Sequence, residues 1–259
     1  MSFWDVILLA VIQGIAEFLP VSSSGHLVLC GHWLGIQEAT GTLNIMLHAG
    51  TLMSILVFYW HRVLRLVSSD RKVMVLLLIG TIPGALSGIW IKKYNSGLME
   101  NPWLSAAMLM VTGVILGASR FLNRREGVDY QHASVGMVLG IGCAQAFAIL
   151  PGISRSGSTI VAGQFLGLKP DASATFSFLL ALPIIAGATV YEIISLSKDT
   201  GSENANVTLL LVGAAISFAV GYGSLLWLAN FIQKGKFHWF AWWCIPFGVL
   251  SLLLLAIFG

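Results

Sequence analysis

Apolar residues dominate the chain in long runs, and the polar residues that interrupt them are concentrated at a few places. A membrane-spanning helix needs about 20 apolar residues, because roughly 30 Å of hydrocarbon is crossed at about 1.5 Å per residue. Six segments meet that length: 43–60, 73–92, 103–121, 173–196, 207–232 and 239–258. Two further apolar regions are broken in the middle. Residues 3–19 and 25–36 are separated by Leu19-Pro20-Val21-Ser22-Ser23-Ser24-Gly25, and residues 134–150 and 157–168 flank Pro151-Gly152-Ile153-Ser154-Arg155-Ser156-Gly157. Proline disfavours helix in the residue before it, and serine side chains offer the backbone other partners. Unpaired backbone in lipid costs several kcal/mol per group, so such breaks persist only where protein or a wet cavity covers them. The pattern predicts two re-entrant helix–loop–helix hairpins and six transmembrane spans.

The two breaks copy each other. A shift of 132 residues aligns Gln13 with Gln145, Ser22 with Ser154, Ser24 with Ser156, Gly25 with Gly157, Gly31 with Gly163, Leu34 with Leu166 and Gly35 with Gly167. Each half, about 1–122 and about 133–259, then holds one hairpin and three spans. Three is odd, so the halves are expected in opposite orientations, the inverted-repeat architecture in which broken helices meet near the bilayer midplane. The expected fold is an all-α polytopic membrane protein forming a single domain over 1–259.

Composition agrees with that class. Of 259 residues, 57% are hydrophobic and 10% charged, with a mean hydropathy of +0.86, against about 25% charged in a soluble domain. The first apolar stretch lacks the basic leader and small-residue cleavage site of a signal peptide. A net charge of +3 gives no reason to expect a nucleic-acid partner. Cys30, Cys143 and Cys244 lie in separate apolar segments without pairing or metal-ligand spacing and read as packing residues. Loop charge sets the orientation. Arg62, Arg65, Arg71, Lys72, Arg120, Arg124, Arg125, Lys169, Lys234 and Lys236 fall on one side, and Lys92, Lys93 and Lys198 on the other. The first side is therefore expected to be cytoplasmic, with both termini and the mouth of the first hairpin facing outward. Trp4, Trp33, Trp60, Trp90, Trp103, Trp239, Trp242 and Trp243 sit near segment ends and read as interfacial anchors.

Charge inside the membrane is the strongest functional signal, since a central charged side chain costs about 3 kcal/mol even on the insertion scale. Glu17, near the tip of the first half-helix, and Arg155, in the second break, are the two such residues. They form either an ion pair that only pins the hairpins together or the centre of a binding site. The surrounding polar groups exceed what one pair requires. Gln13 and Glu17 share a helix face; a carboxylate beside an amide oxygen suits Mg²⁺ or Ca²⁺, while a packing hydrogen bond is the plainer role for Gln13. Arg155 offers a planar fork for two phosphate oxygens, with Ser154, Ser156, Gly157, Ser158 and Thr159 around it at the start of a new half-helix. Ser22, Ser23, Ser24 and His26 belong to the first hairpin. His26 lies three residues from Ser23, near enough in a turn to act on its proton, although helix capping also explains a serine cluster. His48 and His32 read as cavity-mouth or packing residues. Gly80/Gly84/Gly88, Gly113/Gly117 and Gly136/Gly140 read as close helix contacts.

QGIAEFLPVSSSGHL (13–27) and PGISRSGSTI (151–160) resemble the two signature motifs of the BacA-type undecaprenyl-pyrophosphate phosphatases, and FSFLLALPIIAGA (176–188) is similar to the stretch that follows the second motif. Thr175 differs from the basic residue that many relatives carry before that stretch. The resemblance implies hydrolysis of undecaprenyl pyrophosphate to undecaprenyl phosphate at the outer face of the bacterial inner membrane, recycling the peptidoglycan carrier lipid. It implies a divalent cation, bacitracin competition and a polyprenyl pyrophosphate substrate drawn from membrane lipid. It assigns the acidic pair to Gln13 and Glu17, the serine and histidine to Ser23 and His26, and the arginine motif to Ser154, Arg155, Ser156 and Thr159. Gln13 leaves the pair one charge short. Ser23 is expected to attack the distal phosphate or to orient a water, with His26 handling the proton. A transporter of undecaprenyl phosphate or a related anionic lipid is the alternative, and a homodimer is left open. A phosphatase built on Ser-Gly-His with an upstream basic motif is excluded, since no Lys or Arg precedes Arg62.

Overall fold

The computed structural model describes residues 2–35, 41–122, 127–198 and 207–258; for Gly41, Glu192, Ile193 and 195–198 it describes the backbone alone. Arg124 and Arg125, and the side chains of Glu192 and Lys198, therefore lie outside the described residues. The chain runs through α1 (Phe3–Ala16), α2 (Ser23–Leu34), α3 (Gly41–Phe58), α4 (Trp60–Ser68), α5 (Arg71–Tyr94) and α6 (Pro102–Ala118). It continues through α7 (Val135–Phe147), α8 (Arg155–Phe165), α9 (Pro170–Lys198), α10 (Val207–Gln233) and α11 (Ala241–Phe258). Among the described residues there is no β-strand, only an isolated bridge between Val128 and Leu168.

Five helices are long and apolar enough to cross a membrane, and α3 with α4 makes a sixth if the bent pair is one span. The protein is thus multi-pass. The predicted straight span 43–60 is corrected at its end: the helix turns by 77° at Tyr59. Tyr59 leaves helical geometry (φ −101°, ψ 21°), and its ring stacks on Phe178 of α9 at 6.0 Å. The short α4 carries Arg62 and Arg65 away on an exposed face and buries Leu66.

Both interrupted regions are helix–break–helix units, with α1 and α7, at 14 and 13 residues, too short to span. The outside of the molecule is apolar, with Leu78, Leu86, Val114, Leu250 and Leu253 exposed. Hydroxyls are inside. Ser54 donates to the Phe218 carbonyl at 2.8 Å and Ser217 to the Leu47 carbonyl at 2.9 Å, which ties α3 to α10. This is the pattern of helices joined in lipid, where burying apolar surface gives no drive and close approach plus interhelical hydrogen bonds do. Gly80 and Gly84 meet Val138 and Gln145 of α7 in the same way.

The 132-residue register reappears in space. α1 packs on α10 and α7 on α5. Gly113 of α6 rests on Ile245 of α11, and these two positions are themselves 132 apart. The breaks hold each other through equivalent contacts: Gly25 faces Gly152, and Gly157 faces Pro20. Each break is also held by a helix of the opposite half. Thr112 on α6 donates to the Gly152 carbonyl at 2.7 Å and accepts from the Ser154 N–H at 2.9 Å. Its counterpart Cys244 on α11 donates to the Pro20 carbonyl at 3.7 Å.

A methyl group at Gly25 would lie 2.7 Å from the Gly152 Cα and 3.0 Å from its N. Backbone cannot rotate away as a side chain can. Gly25→Ala is expected to destabilise the protein by about 1–3 kcal/mol, read as a lowered unfolding temperature in detergent. Gly223→Ala, on α10 with no atom within 4 Å of the new methyl, should leave that temperature unchanged or raise it.

Candidate active site

The first break begins where α1 stops. Glu17 is the C-terminal cap of α1, its N–H donating to the Gln13 carbonyl at 2.9 Å, and one further bond of the same spacing, from the Leu19 N–H to the Ile15 carbonyl at 3.2 Å, follows it. Phe18, fully buried, then drives into the protein and meets Phe178 edge-on at 5.8 Å. Ser22 reverses the chain. It has φ 71°, a left-handed conformation unusual for a residue with a side chain, and its hydroxyl caps α2 by accepting from the Gly25 N–H at 3.3 Å. The second break ends in the same cap, Ser154 accepting from the Gly157 N–H at 3.1 Å. Ser23 and Arg155 are therefore equivalent positions, each the first residue of a half-helix whose N-terminus favours negative charge.

These two residues meet at Glu17. Arg155 Nη2 donates to Glu17 Oε1 at 2.6 Å, and the Ser23 hydroxyl donates to Glu17 Oε2 at 2.8 Å. Gln13 Nε2 donates to Oε2 from below at 3.1 Å. Ala16, Glu17, Ser22, Ser23, Ser24, Ala148, Ile153, Ser154 and Arg155 enclose a cavity of about 50 Å³, room for a few water-sized groups and not for a prenyl chain. Arg155 Nη1 is buried there without a partner, a spare guanidinium donor beside two helix N-termini. The arrangement sets one carboxylate against a serine hydroxyl beside donors of the kind that could take an anion.

Not every expected residue reaches this cavity. Ser156 shares a hydroxyl contact with Ser154 at 3.2 Å, and the Gly157 N–H is used in the cap. Thr159 donates to the Arg155 carbonyl at 2.7 Å and contacts Ser177 of α9, so it fastens α8 to α9 rather than facing the cavity. The expected Ser23–His26 pair is replaced by a different set of partners. Nδ1 of His26 lies 2.8 Å from the Ser22 carbonyl, and Nε2 lies 3.0 Å from the indole Nε1 of Trp243. A spacing of three along α2 puts both residues on one helical face but does not aim their polar atoms at each other, and Glu17 takes the serine instead.

Two further residues reach this neighbourhood, Trp243, which escaped the sequence reading, and His48, which it placed at a cavity mouth or in packing. Trp243, read as an interfacial anchor, is half exposed yet directs its N–H inward to His26. His48 of α3 places Nε2 3.9 Å from Glu17 Oε2 while Nδ1 faces the Asn44 carbonyl at 2.9 Å. Neither lies within a motif, and no local spacing connects them to the breaks.

The fit of a divalent cation follows from the oxygen donors. Gln13 Oε1 is buried without a partner beside the Glu17 carboxylate, which is hard-cation chemistry. Two oxygens from one helix do not make a cage, and the described residues contain no group of three or more His, Cys, Asp and Glu side chains. This set suits a cation that arrives with phosphate oxygens supplying the rest of its shell.

Comparison with known proteins agrees with the motifs. The family model described as bacitracin resistance protein BacA matches residues 6–250. An undecaprenyl-diphosphatase of Rhodopirellula baltica is 51% identical over 249 residues, covering 96% of each chain. Proteins of the same name from Desulfatibacillum aliphaticivorans and Halothermothrix orenii are each 37% identical, covering 98% and 100% of this chain and 99% and 100% of their own. With the paired motifs meeting at one cavity and relatives aligned end to end, this chain belongs to the BacA family.

Proposed function

We propose that this protein hydrolyses undecaprenyl pyrophosphate to undecaprenyl phosphate and inorganic phosphate. The observation that carries the reading is Glu17 held between Arg155 and the Ser23 hydroxyl, in a cavity of phosphate size at the N-termini of two half-helices. The name shared by the full-length relatives supplies the substrate.

Arg155 Nη1 and the first amides of α2 and α8 receive the distal phosphate, where preorganised donors stabilise the charge that spreads over its oxygens. The Ser23 oxygen attacks that phosphorus and passes its proton to Glu17. The bond to the bridging oxygen breaks, and undecaprenyl phosphate leaves. Water then attacks the phosphoserine; the serine oxygen recovers the proton from Glu17, and phosphate departs as dihydrogen phosphate carrying both protons of the water. Glu17 and Gln13 would hold the divalent cation, Mg²⁺ or Ca²⁺, which supplies further charge neutralisation at the phosphates when bound. His26, with both ring nitrogens engaged, supports the turn at Ser22 and takes no part in proton transfer.

The halves are read as inverted, each break entering from its own side of the membrane. The swapped Thr112 and Cys244 contacts and the paired packing of α1 on α10 and α7 on α5 support this reading. Arg62, Arg65, Arg71, Lys72, Arg120, Lys169, Lys234 and Lys236 mark the cytoplasmic side, which turns both termini and the mouth of the site outward. The prenyl tail stays between helices in lipid.

Purified protein in detergent, without any gradient, is expected to release phosphate from undecaprenyl pyrophosphate. A chelator should abolish that release, and Mg²⁺ or Ca²⁺ should restore it. Glu17→Gln and Arg155→Gln each leave a charge without its partner, so each should destabilise the fold by about 3 kcal/mol. The double variant should regain much of that stability. All three should release phosphate at least about a hundredfold more slowly, the scale for losing a transition-state contact. Wild-type turnover in the double variant would mean that the pair is only a strut, and the assignment of the site would fall.

A further inference from the structure

The geometry points to Trp243 as a positioning residue for Ser23, acting through His26 and the Ser22 carbonyl. This rests on the phosphatase reading above in one respect only: that Ser23 is the residue whose placement limits turnover.

The donors and acceptors of this chain are unambiguous. A carbonyl oxygen only accepts, so the 2.8 Å contact with Ser22 puts the proton on His26 Nδ1. An indole N–H only donates, so the 3.0 Å contact with Trp243 puts a lone pair on His26 Nε2. Together they specify a neutral imidazole in one tautomer. A doubly protonated ring would set two N–H groups against each other at Trp243.

The ring is also held flat. His26 stacks on Phe247 at 4.6 Å with 4° between the planes, and Trp243 lies 11° from both His26 and Phe247. Only 8% of His26 is exposed. Three parallel rings leave the imidazole no freedom to swing toward Ser23.

What this chain supports is the one described non-glycine residue with positive φ, Ser22 at 71°. Backbone in so sparsely populated a region persists only when the surroundings over-determine it. His26 does this by donating to the carbonyl of Ser22, and the next residue is Ser23, whose hydroxyl must stay 2.8 Å from Glu17. Polar groups in series polarise one another in a low-dielectric interior, so the indole donor strengthens the acceptor end of the imidazole and holds its orientation. Without the indole N–H, the same ring can take the other tautomer and give up its bond to the Ser22 carbonyl, which then keeps only the His26 backbone N–H at 3.2 Å, and the turn can relax.

The test compares Trp243→Phe, which keeps an aromatic ring in the stack and removes the donor, with Trp243→Tyr, which returns a donor. Both are first checked for a wild-type unfolding temperature in detergent. Phosphate release by Trp243→Phe is expected to fall on the order of ten- to a hundredfold in kcat, the range for losing a group that orients a functional histidine. KM should stay within about twofold, the mark of an effect on the reacting geometry rather than on binding. Trp243→Tyr should recover most of the loss. Nitrogen NMR of ¹⁵N-histidine-labelled protein, with the His26 signals assigned by difference against His26→Gln, should show the Nδ1-protonated neutral tautomer in the wild type and a tautomer mixture in Trp243→Phe. An Nε2-protonated ring in the wild type, or an unchanged kcat in Trp243→Phe, overturns the proposal. If wild-type protein releases no phosphate at all, the phosphatase reading fails, and the His26 spectrum by itself decides whether Trp243 fixes the tautomer.

Discussion

A polypeptide cannot leave its carbonyl and amide groups unpaired in hydrocarbon, and everything distinctive in this protein follows from two places where the helix is broken there. Neither break satisfies itself. The Gly152 carbonyl and the Ser154 amide are met by Thr112, and the Pro20 carbonyl by Cys244, each from the opposite half. Gly25 and Gly157 remove the side chains that would keep the two breaks apart. Hence the breaks come as a pair, and the meeting of two half-helix N-termini is a result of backbone accounting before it is a result of chemistry.

Charge is placed into that frame in the least costly way. Arg155 and Glu17 neutralise each other at 2.6 Å, and the Ser23 hydroxyl and the Gln13 amide occupy the other carboxylate oxygen. Reading the pair as a strut and reading it as a site are not exclusive, because the ion pair uses Nη2 of the guanidinium and leaves Nη1 unbonded. A strut has no use for a spare buried donor on a residue that lines a cavity.

The architecture was largely legible in the sequence, for a physical reason. Lipid imposes a length on every span, so run length alone locates five helices and the greater part of a sixth. The turn at Tyr59 was not legible, since it depends on stacking against Phe178, more than a hundred positions away. The breaks and their repeat were legible because Pro, Ser and Gly at fixed offsets alter the backbone locally. Site membership was legible only to the level of the motif. Ser156, Gly157 and Thr159 lie in the arginine motif yet face caps and α9, and Ser23 takes Glu17 rather than His26. Which way a side chain points is decided by what packs around it, and the indole of Trp243 belongs to the last helix of the chain.

Ser23 and Arg155 occupy the same slot of the two halves, and so do His26 and Ser158. Packing asks the halves to be alike, since each break is shaped to receive the other. The reaction proposed above asks them to differ: in that reading two serines in the slot would leave a bound anion without a counter-charge, and two arginines would repel each other across the cavity with no nucleophile between them. Change toward perfect internal symmetry is therefore closed to this protein at the slot where its framework is most symmetric. If the two halves began as identical copies, divergence at this one position is the step that turned a paired structural joint into an asymmetric chemical site.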